Sequence, residues 1–171
     1  MEQSPTHQPA PAFSLSDEQE DGVPPGFRRM LGGGAFMQQL GPTYMRRLPD
    51  GQAAIGLRIA PNHLNMQGIT HGGMLATLAD SALGINVALA RKRRAAQVTL
   101  SLTTDFLSSG NVGDWLEAWV TVHHIDEKLA HASCELRVGE RIVVRTAAVF
   151  SLRDRSFGSA PATGAAGNPA G

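Results

Sequence analysis

Cysteine is almost missing from this 171-residue chain: Cys134 stands alone, so no intrachain disulfide can staple the fold. Aromatic residues are scarce too, at 5%, and neither sign of charge is in excess, with fifteen Lys and Arg against fifteen Asp and Glu. That balance gives no general attraction to nucleic acid or to an anionic membrane, and it does little to oppose self-association. No apolar run is expected to approach the ~20 residues that cross a bilayer, and Met1 to Ala12 is polar and Pro-rich, without the apolar stretch of a secretion signal. These absences lead us to expect a soluble, cytoplasmic protein. No internal repeat is present. What remains is an ordinary globular composition, 42% hydrophobic, at a length suited to one domain.

Composition divides the chain in three. Residues 1–25 hold Pro, Gln, Ser and the acidic cluster Asp17, Glu18, Glu20 and Asp21, and are expected to form a flexible Pro-rich arm. Residues 155–171 are mostly Gly, Ala and Pro and read as a flexible tail. The working domain is expected over residues 26–154. Within it, Phe27 to Leu40 reads as a short helix that Gly32, Gly33 and Gly34 weaken. Two strands are expected at Thr43–Leu48 and Gln52–Ala60, joined by the turn signal Pro49-Asp50-Gly51. Beyond a polar loop, Leu75, Leu78, Ala79, Ala82, Ile85 and Leu89 recur at helical spacing. This helix is apolar around most of its circumference and runs into Arg91-Lys92-Arg93-Arg94, which suits the negative end of its dipole.

The rest alternates with a period of two. Val98, Leu100 and Leu102 form one such row; Leu116, Ala118, Val120 and Val122 a second. Ala132, Cys134, Leu136 and Val138 form a third, in which Cys134 is expected as a buried, inert thiol. Ile142, Val144, Thr146, Ala148 and Phe150 form the last. Turns fall at Gly110–Gly113 and Gly139-Glu140. One long apolar helix followed by four antiparallel strands specifies an α+β fold, a curved sheet around a helix.

The chemistry concentrates in Asn65-Met66-Gln67-Gly68-Ile69-Thr70-His71-Gly72-Gly73 and in Asp80. Gly72 and Gly73 stand at the start of the long helix, where backbone N–H groups lack internal partners and the dipole adds positive charge. Glycine there lets another molecule approach the backbone, which suits a carbonyl oxygen that gains charge during attack. Asp80 lies about two turns further on, projecting to roughly the same side as Gly73. An acid among Leu78, Ala79, Ala82 and Leu83 is costly to bury without partners, so it is either used or satisfied by neighbouring donors.

From Asn65 to about Leu152 the chain resembles the hotdog-fold acyl-CoA thioesterases of the phenylacetate-pathway PaaI type. The carrying residues are Asn65, Gly68, His71-Gly72-Gly73, Leu78 and Asp80, with support from Val98 to Leu107 and Gly113-Asp114. The resemblance implies a hotdog fold and an acyl-CoA substrate, with no cofactor or metal. It also implies a homodimer or homotetramer whose site forms only between subunits. Asp80 would be the nucleophile or the general base, and Gly72 would donate its N–H to the thioester oxygen. Asn65 and His71 would orient substrate, water or the helix start. Thr99 would assist the water and serve the opposite subunit's Asp80. A non-catalytic acyl-CoA-binding module is the alternative, although the Pro-rich arm carries no helix-turn-helix.

Other features have plainer readings. Arg91, Arg93 and Arg94 can be a solvated helix end or a grip for the phosphates of CoA; no nucleic-acid motif accompanies them. His71 can cap the helix or touch substrate. His123 and His124 are adjacent on a strand and so are expected on opposite faces, unable to share a metal. Asp126 and Glu127 read as a solvated turn, where the family often carries Gly followed by Arg or Lys, so no CoA contact is carried over to it. Trp115 and Trp119 share a strand face, with packing as the default reading.

Overall fold

Alternating strands and one apolar helix assemble as the periodicities require. The computed structural model describes residues 13–91 and 95–154. The strands are β1 (Phe13–Leu15), β2 (Arg28–Gly32), β3 (Thr43–Arg47), β4 (Ala53–Arg58), β5 (Ala95–Phe106), β6 (Trp115–Ile125), β7 (Leu129–Val138) and β8 (Arg141–Asp154). The helices are α1 (Ala35–Gln38) and α2 (Gly72–Arg91), with a 3-10 turn at Pro61–His63. All strands pair antiparallel in the order β1-β2-β3-β4-β6-β7-β8-β5.

The sheet bends around α2. Register shifts interrupt the pairing at Thr99/Ser101, Val122/His124 and Leu136/Arg137, one in each long strand pair. Each such bulge bends its strand and increases the local twist. Along α2, Met74, Leu75, Leu78, Ala79, Ala82, Leu83, Asn86 and Val87 are buried, a stripe at helical spacing that meets the inner rows of β6, β7 and β8. The one polar member is answered in full: Asn86 Oδ1 accepts from the Ala53 N–H at 2.7 Å, and its Nδ2 donates to the carbonyls of Ala53 and Ala82, each at 2.9 Å.

Several expectations need correction. By length and composition α2 could cross a membrane, contrary to our reading that no run approaches that length; here its apolar stripe is covered by sheet. Phe27 to Leu40 is a strand followed by a four-residue helix, because Gly32, Gly33 and Gly34 all adopt positive φ. Residues 13–25, placed in the arm, partly join the sheet: β1 pairs with β2, and Glu20 accepts a hydrogen bond from the Tyr44 hydroxyl at 2.8 Å. Val98 and Leu100, an inward row by alternation, are instead 53% and 59% exposed. The half-buried side of β5 carries Gln97 and Thr99, and the bulge after Thr99 then brings Leu102 inward.

Trp115 packs outside the main core, with its ring centroid 5.2 Å from Phe27 and 5.4 Å from Tyr44. Gly56 makes room for it, since a Cβ there would lie 2.3 Å from the indole. Trp119 stays partly exposed beside Arg46, 5.6 Å from ring centroid to guanidinium.

Candidate active site

The site grows from the two ends of the loop–helix junction. Asn65 folds the loop: its Oδ1 accepts the N–H groups of Gln67 at 2.9 Å and Ile69 at 3.4 Å. Thr70, buried, donates to the Gly110 carbonyl at 2.7 Å and ties this loop to the one after β5. His71 caps the helix, its Nδ1 accepting the Gly73 N–H at 2.8 Å while its carbonyl accepts from Met74 and Leu75. A backbone N–H can only donate, so Nδ1 is the accepting nitrogen of this cap. The cap occupies Gly73, one of the expected substrate donors. Gly72 is left as the first-turn N–H without a partner among the described residues. Its α carbon lies under the Phe106 ring, which a Cβ at this position would meet at 3.3 Å.

Asp80 is half-buried, and its partner is the Thr99 hydroxyl, which donates to Oδ1 at 2.8 Å. This bond lies within one chain. It corrects the expectation that Thr99 serves the opposite subunit's Asp80, because the polar side of β5 faces the helix of its own subunit. Asp80 Oδ2 has no partner among the described residues. Eight positions separate Gly72 from Asp80, ~12 Å of rise at ~1.5 Å per residue. The two are therefore about two helical turns apart and not adjacent in one subunit.

The remaining expected residues lie elsewhere. Arg91 ends α2, while Arg93 and Arg94 fall outside the described residues. A cleft of about 470 Å³ lies at that end of α2, lined by Asp50, Gln52, Leu89, Val122, His123 and His124, and it does not include Asp80. His123 and His124 are not on opposite faces: the bulge inserts His123, and both side chains are exposed. His123 Nε2 is 2.6 Å from Ser133 Oγ, and His124 Nε2 is 3.3 Å from Asp126. Among the described residues no three His, Cys, Asp or Glu side chains group to hold a metal ion. Asp126 accepts the N–H groups of Lys128 and Leu129, each at 2.7 Å. Those amides, Leu129 first, hold its carboxyl below the usual range.

The Thioesterase superfamily model matches residues 67–145, which begin in the loop before α2 and end in β8. A candidate esterase from Pseudomonas aeruginosa is 38% identical over 130 residues, covering 76% of this chain and 97% of that relative. The chain belongs to the thioesterase superfamily. Among solved structures, a variant of the phenylacetic acid degradation protein PaaI from Thermus thermophilus superposes with TM-score 0.61 at 25% identity, covering 69% of this chain and 98% of that one. A hypothetical thioesterase from Streptococcus pneumoniae, determined with coenzyme A, gives TM-score 0.59 at 23% identity over 67% of this chain and 88% of that one. The hotdog fold and membership among the thioester hydrolases follow.

Three residues around this candidate site escaped the sequence reading. Phe106 ends β5 and covers Gly72. Gln97 sits two residues before Thr99 and donates to the Gly84 carbonyl, one helical turn after Asp80. The usable signal was spacing: Gln97 shares a strand face with Thr99, and Gly84 a helix face with Asp80.

Proposed function

We propose that this thioesterase cleaves acyl-CoA to a free acid and coenzyme A, with Asp80 as general base. Its unpartnered Oδ2 takes a proton from water, and the water oxygen forms the new bond to the thioester carbon. The tetrahedral intermediate then expels the thiolate of CoA, a good leaving group that is protonated on release. The observation carrying this reading is the Thr99–Asp80 bond. Donation into Oδ1 makes that oxygen a poorer nucleophile, orients the carboxylate and leaves its other oxygen available. The coenzyme A bound to the Streptococcus relative supports the substrate class.

The carbonyl needs a donor, and the open Gly72 N–H is suited to it, worth ~3–4 kcal/mol in the transition state. Because that N–H is ~12 Å along the axis from the same chain's Asp80, one thioester reaches both groups only if two subunits pair. Antiparallel apposition of two copies of α2 would bring Gly72 of one subunit toward the partner's Asp80. β5 is suited to the contact, since β8 pairs along one side of it and Val98 and Leu100 are exposed. Asn65 would shape the loop beside this donor, and Arg91, Arg93 and Arg94 remain candidates to hold CoA phosphates.

The test is a panel of acyl-CoAs hydrolysed in the presence of a thiol-reactive dye, beside Asp80→Asn. Loss of ~10²–10⁴-fold in turnover with retained folding is the expected result. Asp80→Asn at the native rate would end this mechanism. Tight binding of acyl-CoA without turnover by the native protein would leave an acyl-CoA-binding module instead.

A further inference from the structure

Strand β5 is joined to the sheet through β8, so side chains on its inner face set how it lies against α2. Two contacts do this. Thr99 donates to Asp80, and Gln97 Nε2 donates to the Gly84 carbonyl. They form rungs of matching pitch, since Asp80 to Gly84 spans ~6 Å of helix and Gln97 to Thr99 spans ~6.6 Å of strand. Gly84 is an unfavourable residue inside a helix, less suited than alanine. Its presence has a local reason: a Cβ there would stand 3.0 Å from Gln97 Nε2. The bare backbone thus admits the amide that pins β5.

We infer that Gln97 and Gly84 are a positioning pair for the catalytic carboxylate, acting through Thr99. Gln97 reaches the helix backbone and not Asp80. Its rung holds β5 at the distance from which the Thr99 hydroxyl donates into Asp80 Oδ1, so that the other oxygen faces the water. Without the rung, the carboxylate still exists but loses its fixed aim. This inference rests on the thioesterase reading above and names the residues that tune it.

The experiment is a double-mutant cycle on the full chain, read by acyl-CoA hydrolysis and thermal unfolding. Gln97→Ala and Gly84→Ala are each expected to lower kcat about tenfold with KM nearly unchanged, as small misplacements of a catalytic group do. Gly84→Ala should do so without lowering Tm, because alanine favours the helix; a purely structural role would move activity and Tm together. In a Thr99→Val background, Gln97→Ala should lower kcat by less than about twofold more, since the aim it protects is already lost. Native kcat in Gln97→Ala, or fully multiplicative losses in the double variant, would overturn the pair. Absence of turnover in the native protein would instead remove the thioesterase reading, and this inference with it.

Discussion

At the residue scale, one oxygen and one N–H are left open while their neighbours are engaged. His71 takes up Gly73 and leaves Gly72; Thr99 takes up one Asp80 oxygen and leaves the other. Phe106 is 54% exposed and lies over Gly72, so under the proposed reaction its ring would lie beside the first atoms of the acyl group. Phe106→Ala should lower kcat/KM for bulky aryl and branched acyl-CoAs about tenfold more than for acetyl-CoA, the loss of a few buried carbons. A uniform effect across the acyl panel would show that the ring only supports the helix. Cys134 is outside this chemistry. Burial pushes its thiol up to about 12 from an ordinary value of 9.0, so the native protein should not react with the thiol dye and should add no background to the CoA assay. The same shift has a sign for stability. Above about pH 9 the unfolded thiol ionises while the folded one stays protonated, so unfolding becomes easier by up to ~1.4 kcal/mol per pH unit until about pH 12. Denaturation from pH 8 to 11 should show this slope, and Cys134→Ala should flatten it.

At the scale of elements, the fully buried stripe of the helix carries a single polar residue, Asn86, which latches it to β4. Asn86 answers both the N–H and the carbonyl of Ala53 at the start of β4, in a fully buried setting. Asn86→Leu keeps the side-chain size but leaves those backbone groups without partners. We expect it to cost ~2–4 kcal/mol, measured as a lower midpoint in urea at unchanged slope. A smaller loss would mean water reaches Ala53. Strand β5 shows how a bulge accompanies a change in which side chains face the helix. Simple alternation assigns its apolar residues inward, whereas the observed order turns Gln97 and Thr99 to the helix and Val98 and Leu100 out. The bulge in β6 likewise places His123 and His124 together in solvent, where strict alternation separates them.

At the scale of the whole molecule, the distance along α2 between donor and acid argues for two subunits. Leu100→Arg on the exposed side of β5 should give a folded monomer with at least ~10²-fold less turnover, checked by sedimentation beside the hydrolysis assay. A fully active monomer would exclude a site shared between subunits. The outer surface is already partly covered within the chain, by Phe27, Tyr44 and Trp115 together with the segment that carries Val23. Glu135, held below the usual carboxyl range chiefly by its hydrogen bond to Arg137, ties neighbouring strands together there with Arg145.

The helix and the four long strands were legible because they depend on local periodicity. Leu75 to Leu89 could be little else than a wrapped helix, and Asp80 stood out among its apolar neighbours. Tertiary structure alone decided which faces met. The strand at Arg28–Gly32 replaced a helix because three glycines in succession take positive φ and the segment then pairs with β1 and β3. Thr99 found its own chain's Asp80 because a bulge, invisible to alternation, shifted the register of β5 by one residue. Periodicity is a property of neighbours along the chain, whereas register and facing depend on where a second segment comes to lie.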